Sequence, residues 1–359
     1  MQSYENFFRD KTVLITGGLG FIGSNLAIRL NELNLKKIII VDSLVPSLGG
    51  NIQNIDEIKN KSNLKIYFGT EGDIKNIEKM KPLIQESDVI FNLAGSVKHT
   101  KLDEKDLEFD TEINFTSQIR FLEACRQVMV ENPTKKLKIV FSGTRDQYGK
   151  VPQSELPVKE YYQSRNMTDY QSVTKNASEF HHMIINNVLR DSGIDVMINS
   201  VRLINTYGPR QSGRIGAAIP VFVEKAINGE IIELWGGGEV FRDVNYVDDV
   251  VDALLLIVSL DVHGEVFNLG SCIGKFGMEN PTGGNFLSVK NLAEKIVNIS
   301  SSGQIKTISY PQERKTIEPG HFAADISKIY NLGWKPKTSL DEGLIKTISW
   351  FKSKTFSVK

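Results

Sequence analysis

The chain has 359 residues, with 43 Lys plus Arg balanced by 43 Asp plus Glu, 40% apolar and 24% charged residues. That composition suits a globular protein of about two domains and excludes a largely disordered chain. The zero formal charge excludes a global basic field for nucleic acid or an anionic membrane. The longest apolar stretch, Ala253 to Leu260, falls far short of a membrane span of about 18 residues. The first ten residues lack the apolar core of a signal peptide. Cys125 and Cys272 are too few for a disulfide framework or a thiolate metal site, so a reducing cytoplasm and no metal are expected.

Residues 11–16, KTVLIT, read as a buried parallel strand. They run into a segment where Ile22, Leu26, Leu30 and Leu33 recur at helical spacing. Gly17, Gly20 and Gly23 therefore occupy a strand-to-helix turn. Glycine there lets backbone approach a pyrophosphate, and the free N–H groups of the helix start face it. The next strand, 36–42, ends in Asp42, nineteen residues after Gly23. A carboxylate there accepts both ribose hydroxyls of an adenosine and repels a 2′-phosphate, so NAD is expected over NADP. A third strand, 64–69, leads to Gly72-Asp73-Ile74, where Asp73 either bonds an adenine amine or closes a plain turn. A fourth, 88–95, ends in Ala94-Gly95, small enough for a cofactor to lie across.

A helix over 111–130, a strand over 136–143, a long helix over 168–190 and a strand over 194–205 continue the alternation. The pattern is α/β, a Rossmann-type doubly wound parallel sheet. From Tyr207 onward Gly and Pro become frequent, helices are expected at 219–228, 247–258 and 287–299, and a loop at 272–286. The expected division is an NAD-binding domain over 1–206, with 240–262 returning to it, and a smaller C-terminal α/β domain over 207–359, mainly for substrate.

Six segments carry a resemblance: TGGLGFIG (16–23), NLAG (92–95), SGTRDQYG (142–149), VRLINTYGPRQ (201–211), FRDVNYVDDVVDA (241–253) and ADISKIYNLGWKPKTSLDEGL (324–344). In this order they resemble the motifs of the extended short-chain dehydrogenase/reductase family, the nucleotide-sugar epimerases and dehydratases. The likeness implies tightly held NAD that removes hydride from a sugar carbon, usually at the 4-position, while a base takes the hydroxyl proton. It adds Phe21, Ile22, Ser43, Leu93, Asn114 and Ser142 to the cofactor contacts already named. Thr144 matches the Ser/Thr that bonds the reacting hydroxyl, and Lys175 matches the lysine beside the nicotinamide ribose.

One departure concerns the base. The resemblance calls for a tyrosine four residues before Lys175, but Gln171 stands there and Tyr170 lies one residue earlier. On a regular helix a spacing of four keeps two side chains on one face, whereas five turns them about 140° apart. Tyr170 serves as base if the helix begins late or bulges there. Asp146 stands where related dehydratases and decarboxylases carry an acidic residue; it either removes a proton next to a 4-keto group or pairs with Arg145 as a loop feature. His99 is a candidate acid or sugar contact, and His181 and His182 are structural or at a subunit contact.

Arg242, Arg210 and Arg314 suit a diphosphate, as guanidinium forks do. Asn205 matches a diphosphate contact, and Trp235 and Phe222 flank the nucleobase. The helices 111–130 and 168–190 resemble a pair that forms an intersubunit four-helix bundle, which implies a homodimer. The expected activity is a nucleotide-sugar epimerase acting on a nucleotide-diphosphate sugar through a transient 4-keto sugar. A 4,6-dehydratase or uronate decarboxylase is the enzyme alternative. A dinucleotide-binding protein without sugar chemistry is the other, motivated by Gln171.

Overall fold

The computed structural model describes residues 4–96, 103–164, 166–213, 217–273, 285–312, 318 and 320–356. The chain forms two compact units. The first holds Met1–Gln147, Tyr170–Arg202 and Val251–Phe267; the second holds Tyr148–Asp169, Leu203–Val250 and Asn268–Lys359.

The first unit runs α1 (Glu5–Phe8), β1 (Thr12–Thr16), α2 (Phe21–Asn31), β2 (Lys37–Asp42), β3 (Leu64–Phe68), α3 (Ile77–Glu86), β4 (Val89–Asn92), α4 (Glu104–Thr111), α5 (Ser117–Glu131), β5 (Leu137–Thr144), α6 (Tyr170–Asp191) and β6 (Val196–Leu203). With the strand Val266–Leu269 at one edge, these strands form a seven-stranded parallel sheet. Its order is Val266–Leu269, β6, β5, β4, β1, β2, β3. All five β1 residues are buried, as continuous apolar strands require when both faces are covered. β1 pairs with β2 on one side (Thr16 opposite Val41) and with β4 on the other (Thr16 opposite Asn92). Strand order reverses at β1, which opens the crevice where such sheets bind ligands. Leu14, Ile39 and Ile90 of the sheet pack with Phe121 and Cys125 of α5 and Ile185 and Leu189 of α6 in one core cluster.

Three boundaries differ from expectation. The helix expected at 111–130 begins at Glu104, where the Asp103 side chain accepts the Asp106 N–H at 2.9 Å. A π-helical turn at Glu112–Thr116 then joins α4 to α5. The segment EKDLEFDT has too few apolar residues to announce a helical period. The helix expected from 168 begins at Tyr170. Residues 148–169 group with the second unit, and the returning segment is Val251–Phe267. The reason is local: the buried Tyr148 hydroxyl donates to Asn268 Oδ1 at 2.7 Å, and the Val158 N–H donates to Ala323 O at 2.9 Å.

The second unit is built from short pairs. Ile231–Trp235 pairs parallel with Gln304–Ile308, and Phe286–Ser288 pairs antiparallel with Phe241–Asp243. Helices Ala218–Ile227, Val289–Ser300 and Leu340–Phe356 belong to it. Asp249 anchors the segment after Trp334, its carboxylate accepting the Lys337 and Thr338 N–H groups at 3.0 Å each. Most of the loop expected at 272–286 lies outside the described residues. Among the described residues no helix is long and apolar enough to cross a membrane, and no group of three His, Cys, Asp or Glu could hold a metal ion.

Candidate active site

The glycine turn after β1 is shaped by what cannot be added to it. Gly17 has φ +65°, and a Cβ there would lie 2.9 Å from Ala94 Cα. A Cβ on Gly23 would meet the Gly17 carbonyl at 2.3 Å. The first residue needs left-handed backbone and the second lets α2 close onto the turn. Gly20 caps α2 without a side-chain hydrogen bond, which leaves the helix start open to an anion.

Asp42 ends β2 beneath this turn. Leu19 N–H donates to its Oδ2 at 3.0 Å and Leu44 N–H to its Oδ1 at 2.9 Å. Burial raises its pKa, and these N–H bonds oppose the shift. Each carboxylate oxygen keeps a further lone pair, so a ribose hydroxyl remains within its capacity. Gly72 packs against the Asp42 backbone, where a Cβ would come within 2.6 Å of Asp42 O. Asp73 is half-buried and pairs with Lys75 at 3.7 Å. Ile74 belongs to the core cluster, and Ser43 is exposed. Phe21, Ile22, Leu93, Ala94 and Gly95 are half-buried around the strand ends.

A fully buried polar network braces those ends. Thr16 Oγ1 donates to Asn92 Oδ1 (2.7 Å) and accepts the Ala94 N–H (3.1 Å). Asn92 Nδ2 reaches Gln118 Oε1 at 2.6 Å and His182 Nε2 at 3.0 Å. His182 is completely buried, stacked on Phe141 with centroids 4.0 Å apart. That makes it structural and rules out the subunit contact. Burial pushes its pKa down to about 3.

A second group of the candidate residues gathers on β5 and α6. Lys175 is 2% exposed; its Nζ donates to Ser142 O at 3.0 Å and sits 5.2 Å from the Phe141 ring centroid. Burial pushes its ammonium down to about 8, with the Asp110 carboxylate pulling the other way. A Cβ on Gly95 would touch Lys175 Nζ at 2.5 Å. Asn114, in the π-helical turn, accepts the Ser96 N–H at 2.7 Å, while its buried Nδ2 has no partner. An orphaned donor beside a buried cation, packed close against Gly95, fits a dinucleotide with its ribose hydroxyls at Lys175 and Asn114.

β5 ends in a polar turn. Thr144 Oγ1 donates to Asp146 Oδ2 at 3.0 Å, and the Asp146 N–H returns a bond to Thr144 Oγ1 at 3.3 Å. Arg145 Nη2 lies 3.4 Å from Asp146 Oδ1, so the expected Arg145–Asp146 pair and the Thr144 contact coexist. Gln147 and Asn176 carried no signal as isolated residues. Gln147 Oε1 accepts the Thr144 N–H at 2.8 Å, its Nε2 donates to Asn176 Oδ1 at 3.2 Å, and Asn176 Nδ2 donates to Gln147 O at 3.0 Å. These bonds tie the turn to the residue next to Lys175. On α6, Gln171 is 1% exposed and shares the buried face with Lys175, whereas Tyr170 is the first helical residue and half-buried.

The second unit places the substrate candidates separately. The Arg242 guanidinium is bonded to Glu318 and donates to Gly320 O at 2.5 Å. Glu318 also accepts the Tyr310 hydroxyl at 2.7 Å, and Tyr310 meets Trp235 edge-on with centroids 5.7 Å apart. Trp235 is 40% exposed, while Phe222 is buried. Asn205 (φ +31°) donates from Nδ2 to Asp243 O at 2.7 Å, and Arg210 has φ +71°. Both are non-glycine residues in left-handed backbone, a strain found at ligand sites. His99 and Arg314 lie outside the described residues.

Known proteins resemble the chain over most of its length. The profile of the NAD dependent epimerase/dehydratase family matches residues 13–270. The chain is 29% identical to a UDP-N-acetyl-alpha-D-glucosaminuronate decarboxylase of Bacillus cytotoxicus, covering 95% of this chain and 98% of that protein. It is 27% identical to a dTDP-glucose 4,6-dehydratase of Escherichia coli, covering 94% and 93%. Among solved structures, a UDP-glucose 4-epimerase of Thermotoga maritima with UDP-glucose superposes with a TM-score of 0.77 at 26% identity, covering 96% of this chain and 99% of that one. The chain belongs to the NAD dependent epimerase/dehydratase family, whose members are nucleotide-sugar epimerases, dehydratases and decarboxylases, and whose cofactor is NAD.

Proposed function

We propose that this enzyme is a nucleotide-sugar epimerase working through a transient 4-keto sugar. The observation that carries the reading is the Thr144–Asp146 bond at the end of β5, in the same unit as the buried Lys175 ammonium. When bound, NAD supplies a reversible hydride acceptor. Asp42 and the glycine turn hold its adenosine end, and Lys175 and Asn114 hold its nicotinamide ribose. Thr144 takes a hydrogen bond from the reacting sugar hydroxyl. Arg242, Arg210 and Asn205 receive the diphosphate, and Trp235 lies along the base.

Epimerisation is favoured because the Asp146 carboxylate is already engaged by the Thr144 hydroxyl and Arg145, which ties it to hydroxyl chemistry. The second reading is a 4,6-dehydratase or uronate decarboxylase. It is supported by the same carboxylate, which in those reactions would act on a carbon next to the ketone.

Purified protein loaded with NAD is incubated with UDP-glucose, UDP-N-acetylglucosamine, UDP-glucuronate and dTDP-glucose, and products are read by proton NMR. A product inverted at carbon 4 supports the epimerase. A 4-keto-6-deoxy sugar or a pentose replaces it with the dehydratase or the decarboxylase.

The same unit carries a docking face for a second copy. Val173, Phe180, Ile184 and Val188 of α6 are each at least half exposed, in a stripe four turns long. Such a stripe on a soluble helix normally meets a partner. Analytical ultracentrifugation is expected to give a dimer that Phe180→Glu converts to monomer; a monomeric wild type removes the dimer.

A further inference from the structure

We propose that the sugar hydroxyl proton leaves through the Thr144 hydroxyl to the Asp146 carboxylate, a relay that needs no tyrosine base. The relay rests on the sugar-oxidising reading above. Three observations converge on it.

The first is bond polarity. A threonine hydroxyl has one proton and two lone pairs. The Thr144 proton points to Asp146 Oδ2 at 3.0 Å, and one lone pair receives the Asp146 N–H at 3.3 Å. The remaining lone pair can only accept. A sugar hydroxyl that meets Thr144 must therefore be the donor, which is the sense required for oxidation.

The second is enclosure. Thr144 and Asp146 are each 7% exposed, with the Arg145 guanidinium 3.4 Å from the other carboxylate oxygen. The Thr144 N–H is held by Gln147, which fixes the turn. In such a setting a proton passes between fixed partners and not to bulk water.

The third is the residue at the expected base position. Gln171 shares the buried face with Lys175, carries no titratable proton, and its Oε1 is buried without a hydrogen-bond partner. Lys175 already donates to Ser142 O. The Gln171 amide is left to orient the sugar while the proton goes elsewhere.

The step balances as follows. The O–H bond of the sugar breaks as the C4 carbonyl forms, and the C4 hydrogen leaves as hydride to the acceptor that bound NAD would supply. The hydroxyl proton passes to Thr144 Oγ1 as the original Thr144 proton passes to Asp146 Oδ2. Thr144 is again a neutral alcohol, and Asp146 has become a carboxylic acid. Re-reduction of the ketone from its other face, with hydride that the bound cofactor would return, would run the relay backwards.

The test uses NAD-loaded protein with UDP-glucose, UDP-N-acetylglucosamine, UDP-glucuronate and dTDP-glucose as probes. Isotope-edited infrared difference spectra read the carboxylic-acid stretch that appears as the sugar is oxidised. That band is expected in the wild type and absent in Asp146→Asn. In the same variant, single-turnover cofactor reduction falls by about a hundredfold or more, with NAD retention unchanged. Asp146→Glu, which restores a carboxylate, recovers both band and rate in part. A band that persists in Asp146→Asn, or a rate within about threefold of wild type, overturns the relay. So does loss of the band in Tyr170→Phe while Asp146→Asn still turns over. A wild type that holds NAD and oxidises none of the four sugars sinks the epimerase reading itself, and the relay with it.

Discussion

The turns that follow β1 and β5 are built on opposite terms. After β1 the shape depends on missing side chains: Gly17 and Gly23 leave space that a single carbon would fill. After β5 it depends on side chains that complete one another: Thr144, Asp146 and Gln147 bond within the turn, and Gln147 bonds across to Asn176. The first turn tolerates no addition and the second no removal. Such a glycine turn suits a dinucleotide common to a whole family, because a pyrophosphate asks only for approach. In the reading proposed above the polar turn would set the chemistry, because protons must move between named atoms.

The comparison breaks or sharpens under substitution. The largest effect is expected for Gly23→Val, whose Cβ would lie 2.3 Å from Gly17 O and 2.7 Å from Gly18 Cα. Both neighbours are backbone, so we expect a loss above about 3 kcal/mol in urea unfolding, together with loss of bound NAD. A Gly23→Val protein that keeps its NAD would mean that the cradle is not held by backbone contact.

Lys175→Met tests where binding works against folding. Because burial lowers the folded-state pKa to about 8, the penalty on the charged form is full below that value and fades as pH rises toward the unfolded value of 10.5. The variant should be about 2 kcal/mol more stable at neutral pH, while releasing NAD roughly tenfold more readily. Equal stability on both sides of pH 8 would remove the argument.

Gln147→Ala should cost about 1.5 kcal/mol, since it strands the buried Thr144 N–H. The check is the denaturation midpoint, with NAD retention kept. The last effect is a slope, with little change at neutral pH. His182 has a folded pKa near 3 against 6.5 unfolded. Its contribution is present above pH 6.5 and drains away as pH falls toward 3. Replacing it with Gln should flatten the acid limb of stability by about 1 kcal/mol per pH unit. An unchanged limb would mean that another group governs acid unfolding.

Much of this was legible in the sequence. Alternating apolar strands and glycine-punctuated helices announced the parallel sheet, and the position of Asp42 after the glycines announced its place at the end of β2. Local periodicity suffices for elements whose burial is uniform. The start of α4 was not legible, because EKDLEFDT has no apolar stripe. Pairings across long separations were also silent. Arg242 and Glu318 are 76 residues apart, and Gln147 and Asn176 are 29 apart. Arg242 read as a grip for phosphate, and the one-dimensional pattern could not show that Glu318 is its partner. At Tyr170 and Gln171 the spacing alone stated the problem, and only the buried face of α6 settles which of them stands with Lys175.

The π-helical turn at Glu112–Thr116 bears on how this chain can change. A wide turn stores one residue beyond what α-helical winding holds, and each stored residue advances the phase by about 100°. Deleting one residue there would let α4 and α5 run on as a single regular rod, with the hydrophobic face of α5 undisturbed. Everything upstream would swing by that angle, carrying the buried Asp110 away from the strand ends, and the Asn114 position with it. The widening is thus an indexing device. It keeps two stretches of one helix in different rotational settings, one keyed to the core and the other to the buried Lys175 ammonium.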